Sequence, residues 1–217
     1  MCKYKALFVL FLTVLLSSCS NTPTTTEIIL PVSSAQGDIN KGIIIAQEKD
    51  FQKAIIFFSS SIDKNSKIAE AYYHRGRSYQ KLGNFSKAQQ DYYRALRLNI
   101  RYPEVHNSLG VLYTSQGEYR NAIDSYTTAI SFNQSYAKPH INRGVVYFRE
   151  GSYQKALFDF TRALEIEPKS TLALKNRANV YSKLGAKNAV CGDLKQLCQF
   201  GNCASYNKLT KIDYCND

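Results

Sequence analysis

Six sets of residues recur along this chain with one common spacing of 34, and that spacing governs what it can fold into. Small residues stand at Gly42, Gly76, Gly110, Gly144 and Ala178. A second small series is Ala54, Ala88, Ala122, Ala156 and Val190. Large residues follow the same step at Phe58, Tyr92, Tyr126, Phe160 and Leu194. Ser61, Ala95, Ala129 and Ala163 form a fourth series, Tyr79, Tyr113, Tyr147 and Tyr181 a fifth, and Gly83, Gly117, Gly151 and Gly185 a sixth. Such units cannot bury an apolar face singly. They must stack on their neighbours to make a core.

The spacing inside a unit predicts two helices. Leu109, Gly110 and Tyr113 share one helical face, and Ala122, Tyr126 and Ala129 share another at i, i+4, i+7. Gly117 falls in the turn between them, and Pro168 follows a second helix, where a proline can end it. Small residues let antiparallel helices approach, and aromatic rings fill the space left.

These residues resemble the tetratricopeptide repeat, a helix–turn–helix unit of 34 residues. The register places repeats at 35–68, 69–102, 103–136 and 137–170, with a partial fifth from 171 and the array running to 187. The family's usual Trp is replaced by Tyr72, His106, His140 and Leu174. Repeat 1 is degenerate, with Lys49 for the turn glycine and Ile45 for the tyrosine. The resemblance implies an all-α solenoid, a right-handed superhelix whose first helices line a concave face. Most of the 16 tyrosines are then packing residues.

The start of the chain reads as an address. Lys3 and Lys5 precede an apolar run from Ala6 to Leu16, of signal-peptide length and short of the roughly 20 residues that span a bilayer. The run ends in Leu16-Ser17-Ser18-Cys19, which resembles a bacterial lipobox. That resemblance implies cleavage after residue 18 and acylation of Cys19, palmitate being a typical chain. The alternative is an ordinary cleavable signal with a chance Cys at its end. Several chains together anchor firmly, since each buried CH₂ contributes about 0.8 kcal/mol. Ser20 in place of Asp favours the inner leaflet of the outer membrane over the inner membrane, so the body would face the periplasm. Residues 19–34 form the lipidated Cys and a polar tether. Within it, Ile28-Ile29-Leu30 is an apolar patch expected to dock on the first helix.

The formal net charge is +11, and the leader removes Lys3 and Lys5 from that total. An exported basic chain does not meet nucleic acid as its usual partner, so the charge points to anionic proteins or surfaces.

Four of the six cysteines lie in the last 27 residues: Cys191, Cys198, Cys203 and Cys215. In an exported chain an even set reads as disulfides, here within a C-terminal cap over 188–217. Cys191 and Cys198 sit on one helical stripe about 10.5 Å apart along the axis, beyond the Cα separation of roughly 7 Å that a disulfide tolerates. If the chain reverses at Gly201 into a second short helix, the nested pairs Cys198–Cys203 and Cys191–Cys215 follow. Crossed pairing, Cys191–Cys203 with Cys198–Cys215, is the runner-up. Zinc is the rival use, but the spacings contain no C-x-x-C knuckle. The pattern also resembles a Cys-rich cap on some bacterial tetratricopeptide proteins.

Enzyme signatures are absent: no G-x-S-x-G, no H-E-x-x-H and no phosphate-binding loop. The expectation is a non-catalytic protein with no metal and no cofactor. His74, His106 and His140 ride the repeat and read as packing residues. Binding is the better hypothesis. The family's groove positions, carried over one by one, give Tyr73, Arg77 and Lys81 in repeat 2, and Asn107 and Val111 in repeat 3. They give Ile141, Val145, Phe148 and Arg149 in repeat 4, and Lys175 and Asn179 in the fifth unit. Mixed aromatic, aliphatic and cationic groups suit an extended or helical peptide, although any groove of this family has such a mixture. The family's chaperone-binding carboxylate clamp is not present, because Ile39 and Ile43 occupy its first-repeat positions.

Together these features describe a lipid-anchored adaptor or scaffold of the bacterial cell envelope, similar in architecture to the NlpI-like lipoproteins. Two alternatives stand beside it. One is an assembly factor like the type IV pilus pilotins, which carry a secretin subunit to the outer membrane. The other is a module binding peptidoglycan or an anionic surface.

Overall fold

The computed structural model describes residues 34–211, 214 and 215. The leader, Cys19 and the tether up to residue 33 lie outside the described residues. The described part contains eleven helices and no strand. Five pairs follow one another: α1 (Ala35–Gln47) with α2 (Phe51–Lys64), α3 (Ala69–Lys81) with α4 (Phe85–Leu98), and α5 (Pro103–Gln116) with α6 (Tyr119–Phe132). Then come α7 (Ala137–Arg149) with α8 (Tyr153–Ile166), and α9 (Thr171–Lys183) with α10 (Lys187–Gln199). The short α11 (Ala204–Thr210) closes the series. Successive pairs begin at Ala35, Ala69, Pro103, Ala137 and Thr171, a constant step of 34.

The two periodic series that place glycine and aromatic residues meet in space. A Cβ added to Gly42 would stand 2.5 Å from the Phe58 ring, and one on Gly110 would stand 2.5 Å from the Tyr126 ring. Gly76 and Gly144 face Tyr92 and Phe160 with the same kind of overlap, at 2.9 and 2.8 Å. Each glycine is therefore the hole into which the next helix's ring inserts. In the fifth pair Leu194 replaces the ring, and there Ala178 replaces the glycine.

The turn glycines serve a different purpose. Gly83, Gly117, Gly151 and Gly185 all have φ between +73° and +78°, the left-handed region that ends a helix cheaply only without a Cβ. Lys49 adopts the same conformation, with φ +67°. Lys49→Gly is expected to stabilise the first repeat by about 1 kcal/mol, read as an increase in the thermal midpoint; no increase would show that the Lys49 side chain compensates its backbone.

Repeat boundaries have their own chemistry. Asn65, Asn99 and Asn133 each end a second helix, and each side-chain oxygen accepts from the backbone N–H two residues on, at 3.0–3.1 Å. After α8, Glu167 ends the helix and its backbone carbonyl accepts from the Ser170 N–H at 3.0 Å.

Odd-numbered helices touch one another in series, α1 to α3 to α5 to α7 to α9, whereas even-numbered helices do not. The array thus curves with the odd helices inside, and their exposed faces form the concave surface.

Three guanidinium groups clip the array together. Arg75 donates Nε and Nη2 to Asp91 at 2.9 and 2.8 Å, and its Nη1 donates to Ser59 Oγ of the preceding repeat at 3.1 Å. Arg143 does the same with Asp159 and Thr127, and Arg177 with Asp193 and Thr161. Each clip joins three helices from two repeats. Repeat 3 has none: Leu109 takes the arginine's place and is buried. Ser125 stands at the aspartate position.

At the C-terminal end, Gly201 turns the chain with φ +85°, and α11 folds back. Cys191 is bonded to Cys215 and Cys198 to Cys203, the nested arrangement, with Cα separations of 5.5 and 4.0 Å. Tyr206, Leu209 and Tyr214 cover the core formed by Val190, Leu194 and Leu197. No group of three or more His, Cys, Asp or Glu is placed to hold a metal among the described residues. Nor is any described helix long and apolar enough to cross a membrane.

Candidate functional site

The inner helix row presents two hollows. The first, of about 400 Å³, lies on α3 and α5 and reaches the start of α7. Tyr73, Arg77 and Lys81 enter it from α3, and Asn107 and Val111 from α5, so five of the groove residues expected from the sequence come together here. Their spacing of four along each helix puts them on one stripe. Phe85, Tyr136 and Lys138 also line it, with Gln80, Ser108 and Ser115. Tyr136 and Phe85 come from a repeat boundary and the start of a second helix, outside the inner-helix positions that the repeat register picks out.

The second hollow, of about 160 Å³, is lined by Val145, Phe148, Arg149 and Asn179, together with Phe160 and Asn176. Ile141 does not open into either hollow; it is buried in the core cluster that also holds Ala173 and Leu174. Lys175 is exposed on α9 and lines neither hollow.

Local packing fixes the first hollow's geometry. Tyr73 is buried against Tyr102 and Tyr92, with ring centroids 5.2 and 6.4 Å away. The Arg77 guanidinium lies 5.6 Å from the Tyr73 ring centroid, a cation–π arrangement that holds the charge at the rim. Asn142 Nδ2 donates to Asn107 Oδ1 at 2.9 Å, which orients the Asn107 amide so that its own N–H groups remain for another acceptor. Burial is the main reason the phenols of Tyr73, Tyr102 and Tyr136 stay protonated beyond the ordinary tyrosine range, that of Tyr136 pushed up to about 12. They are hydroxyl donors at neutral pH, not phenolates.

The histidines are packing groups, as the repeat suggested. His140 is buried with Nδ1 3.0 Å from Asp159 Oδ1. His106 Nε2 sits 3.0 Å from the Ile100 carbonyl, and burial lowers its pKa. His74 stacks on Phe58 at 5.6 Å. Burial, then the nearby positive Arg77, lowers its pKa to about 4.

That shift has a sign. The unfolded chain titrates His74 near 6.5 and the native one near 4. As pH falls through this window the unfolded state takes up the proton first, so stability present above pH 6.5 declines and then levels off near pH 4. The change is on the order of 2 kcal/mol. Thermal midpoints measured at pH 7 and pH 5 should differ, and His74→Phe should shrink the difference. An unchanged difference would assign the slope to other groups.

Helix pairs of 34 residues, a left-handed turn glycine in each of four of them and an inner row of first helices define an α-solenoid of tetratricopeptide repeats. Family comparison agrees. Residues 69–102 and 137–170 match the tetratricopeptide repeat model, and residues 112–151 match a TPR repeat model. No curated protein matches the sequence.

Among solved structures, the chain is similar to one in the Cut9–Hcn1 hetero-tetramer of the APC/C, with 22% identity, a TM-score of 0.68 and 75% of this chain covered. It spans only 33% of that longer chain. YrrB, a TPR protein with an unusual peptide-binding site, aligns at 19% identity and a TM-score of 0.61, over 82% of this chain and 92% of that one. PilW, a widely conserved type IV pilus biogenesis factor, aligns at 16% identity and a TM-score of 0.70, over 84% of this chain and 94% of that one. At these identities the likeness is one of fold.

Proposed function

We propose that this protein is a lipid-anchored adaptor of the bacterial cell envelope, which holds a segment of a partner protein along its inner helix row. The observation that carries the reading is the first hollow. Exposed apolar groups, Val111 and Phe85, lie there beside Arg77 and Lys81 and an oriented amide, Asn107. Concave sites with a few placed polar groups on an apolar floor suit ligand segments. The peptide-binding site named for YrrB, on the same fold, supports it. The anchor rests on the sequence alone: an apolar run ending in Leu16-Ser17-Ser18-Cys19, with acylation at Cys19.

Photoreactive residues at positions 73, 111 and 145, crosslinked in cells and followed by mass spectrometry, test the groove. A specific protein captured at 73 and 111 is the expected result. Capture of lipid or wall fragments alone would overturn the adaptor reading. The anchor is tested by labelled palmitate, which should enter the native chain and not Cys19→Ser.

A pilus-assembly role is the second reading, supported by the fold shared with PilW. It requires that deletion of the gene leaves cells without pili. A wall binder would instead sediment with purified peptidoglycan and be released by salt.

A further inference from the structure

The first hollow also carries a charge pattern, and the geometry points to its occupant: a peptide segment that carries acidic side chains interleaved with apolar ones. This rests on the groove reading above and adds the chemistry of the partner.

The arginines of this chain fall into two groups. Arg75, Arg143 and Arg177 each meet an aspartate in a two-pronged pair. Arg77, two residues from the first of them, points to the concave side and meets no carboxylate within ion-pair distance among the described residues. It lies on the Tyr73 ring instead. Lys81, one turn further along α3, and Lys138, at the start of α7, line the same hollow and likewise have no ion-pair partner among the described residues. Three cations thus share a concavity whose lining contains no carboxylate. Low-dielectric walls focus such a field and favour a negative ligand.

Two acids stand nearby and set the limits of the positive region. Glu104 contributes to the raised pKa of Tyr73, Tyr102 and Tyr136, and Glu70 to that of Tyr102. Both precede the hollow's α3 and α5 residues by about one turn, so the acidic part of a ligand is directed away from them, toward Arg77 and Lys81. Val111 and Phe85, 38% and 39% exposed, line the same hollow as the cations. They provide apolar contact for the ligand's alternate side chains, and Asn107 supplies amide hydrogens for its backbone carbonyl groups.

The test uses the full chain and two fluorescent peptides of equal length, one alternating Glu with Leu and one alternating Lys with Leu, titrated by anisotropy. The Glu–Leu peptide should bind at least about tenfold more tightly, and its affinity should fall as salt rises. Arg77→Glu with Lys81→Glu should remove at least about tenfold of that affinity. Arg162→Glu, on an exposed outer side chain, should leave it unchanged. Circular dichroism checks that each variant keeps its helix content. Equal binding of both peptides, binding of neither, or Glu–Leu binding that survives the double charge reversal would overturn the inference. A basic or uncharged partner segment crosslinked at positions 73 and 111 would sink the acidic occupant and leave the groove standing. Captures only elsewhere on the surface would sink the groove itself.

Discussion

Asp159→Ala should lower stability by about 3–5 kcal/mol, the range for breaking a buried pair from one side. Asp159 is fully buried. It accepts two hydrogen bonds from Arg143 and faces His140 Nδ1. Its removal leaves a guanidinium that is only 13% exposed without a counter-charge, and the cost is the uncompensated charge more than the lost bond. Repeat 3 supplies the control. Leu109 and Ser125 occupy the same two positions and the helices still pack. Arg143→Leu with Asp159→Ser should therefore recover most of the loss. Urea and thermal denaturation followed by circular dichroism would measure all three proteins. A loss below about 1 kcal/mol for Asp159→Ala would show that Arg143 finds water when its partner goes.

Gly110→Ala is the second large effect. The added methyl would overlap the Tyr126 ring at 2.5 Å from Cε1, and overpacking of this kind costs about 1–3 kcal/mol. The ring cannot step aside, because Tyr126 is 1% exposed and its hydroxyl is 3.1 Å from Thr114 Oγ1. The fifth helix pair shows the repair: Ala178 is tolerated where Leu194 replaces the ring. In a double-mutant cycle, Tyr126→Leu should make Gly110→Ala nearly neutral, with a coupling of about 1–3 kcal/mol. Simple additivity would mean that the helix spacing, and not the ring, sets the requirement for glycine.

Much of this architecture is legible in the residues. Gly110 and Tyr126 lie sixteen positions apart in sequence, and their shared period identifies both the helix pair and the contact between them. The turn at Gly117 follows from the same period. The clips carry an equally regular signal, Arg75, Arg143 and Arg177 each sixteen residues before an aspartate. They escape notice when charges are summed, because a total cannot distinguish a paired arginine from an open one. The caps at Asn65, Asn99 and Asn133 hide in the same way, as polar residues in loops. The hollow is only half legible. Tyr73, Arg77 and Val111 follow the inner-helix register, but Tyr136 and Phe85 reach it from elements whose approach depends on the tilt between successive pairs. Ile141 shows the converse: a groove position by register that local packing turns into the core.

The uneven clips also give the array an uneven response to temperature. Where Arg75, Arg143 and Arg177 join neighbouring repeats, the bond is directional and runs from a charged guanidinium to a hydroxyl. At the α4–α5 boundary the matching site is filled by Leu109, whose burial is driven by water and weakens as water cools. On chilling, that site loses grip while the clipped ones keep theirs. Cold should therefore part this chain between its second and third repeats, across the very surface where the first hollow is formed.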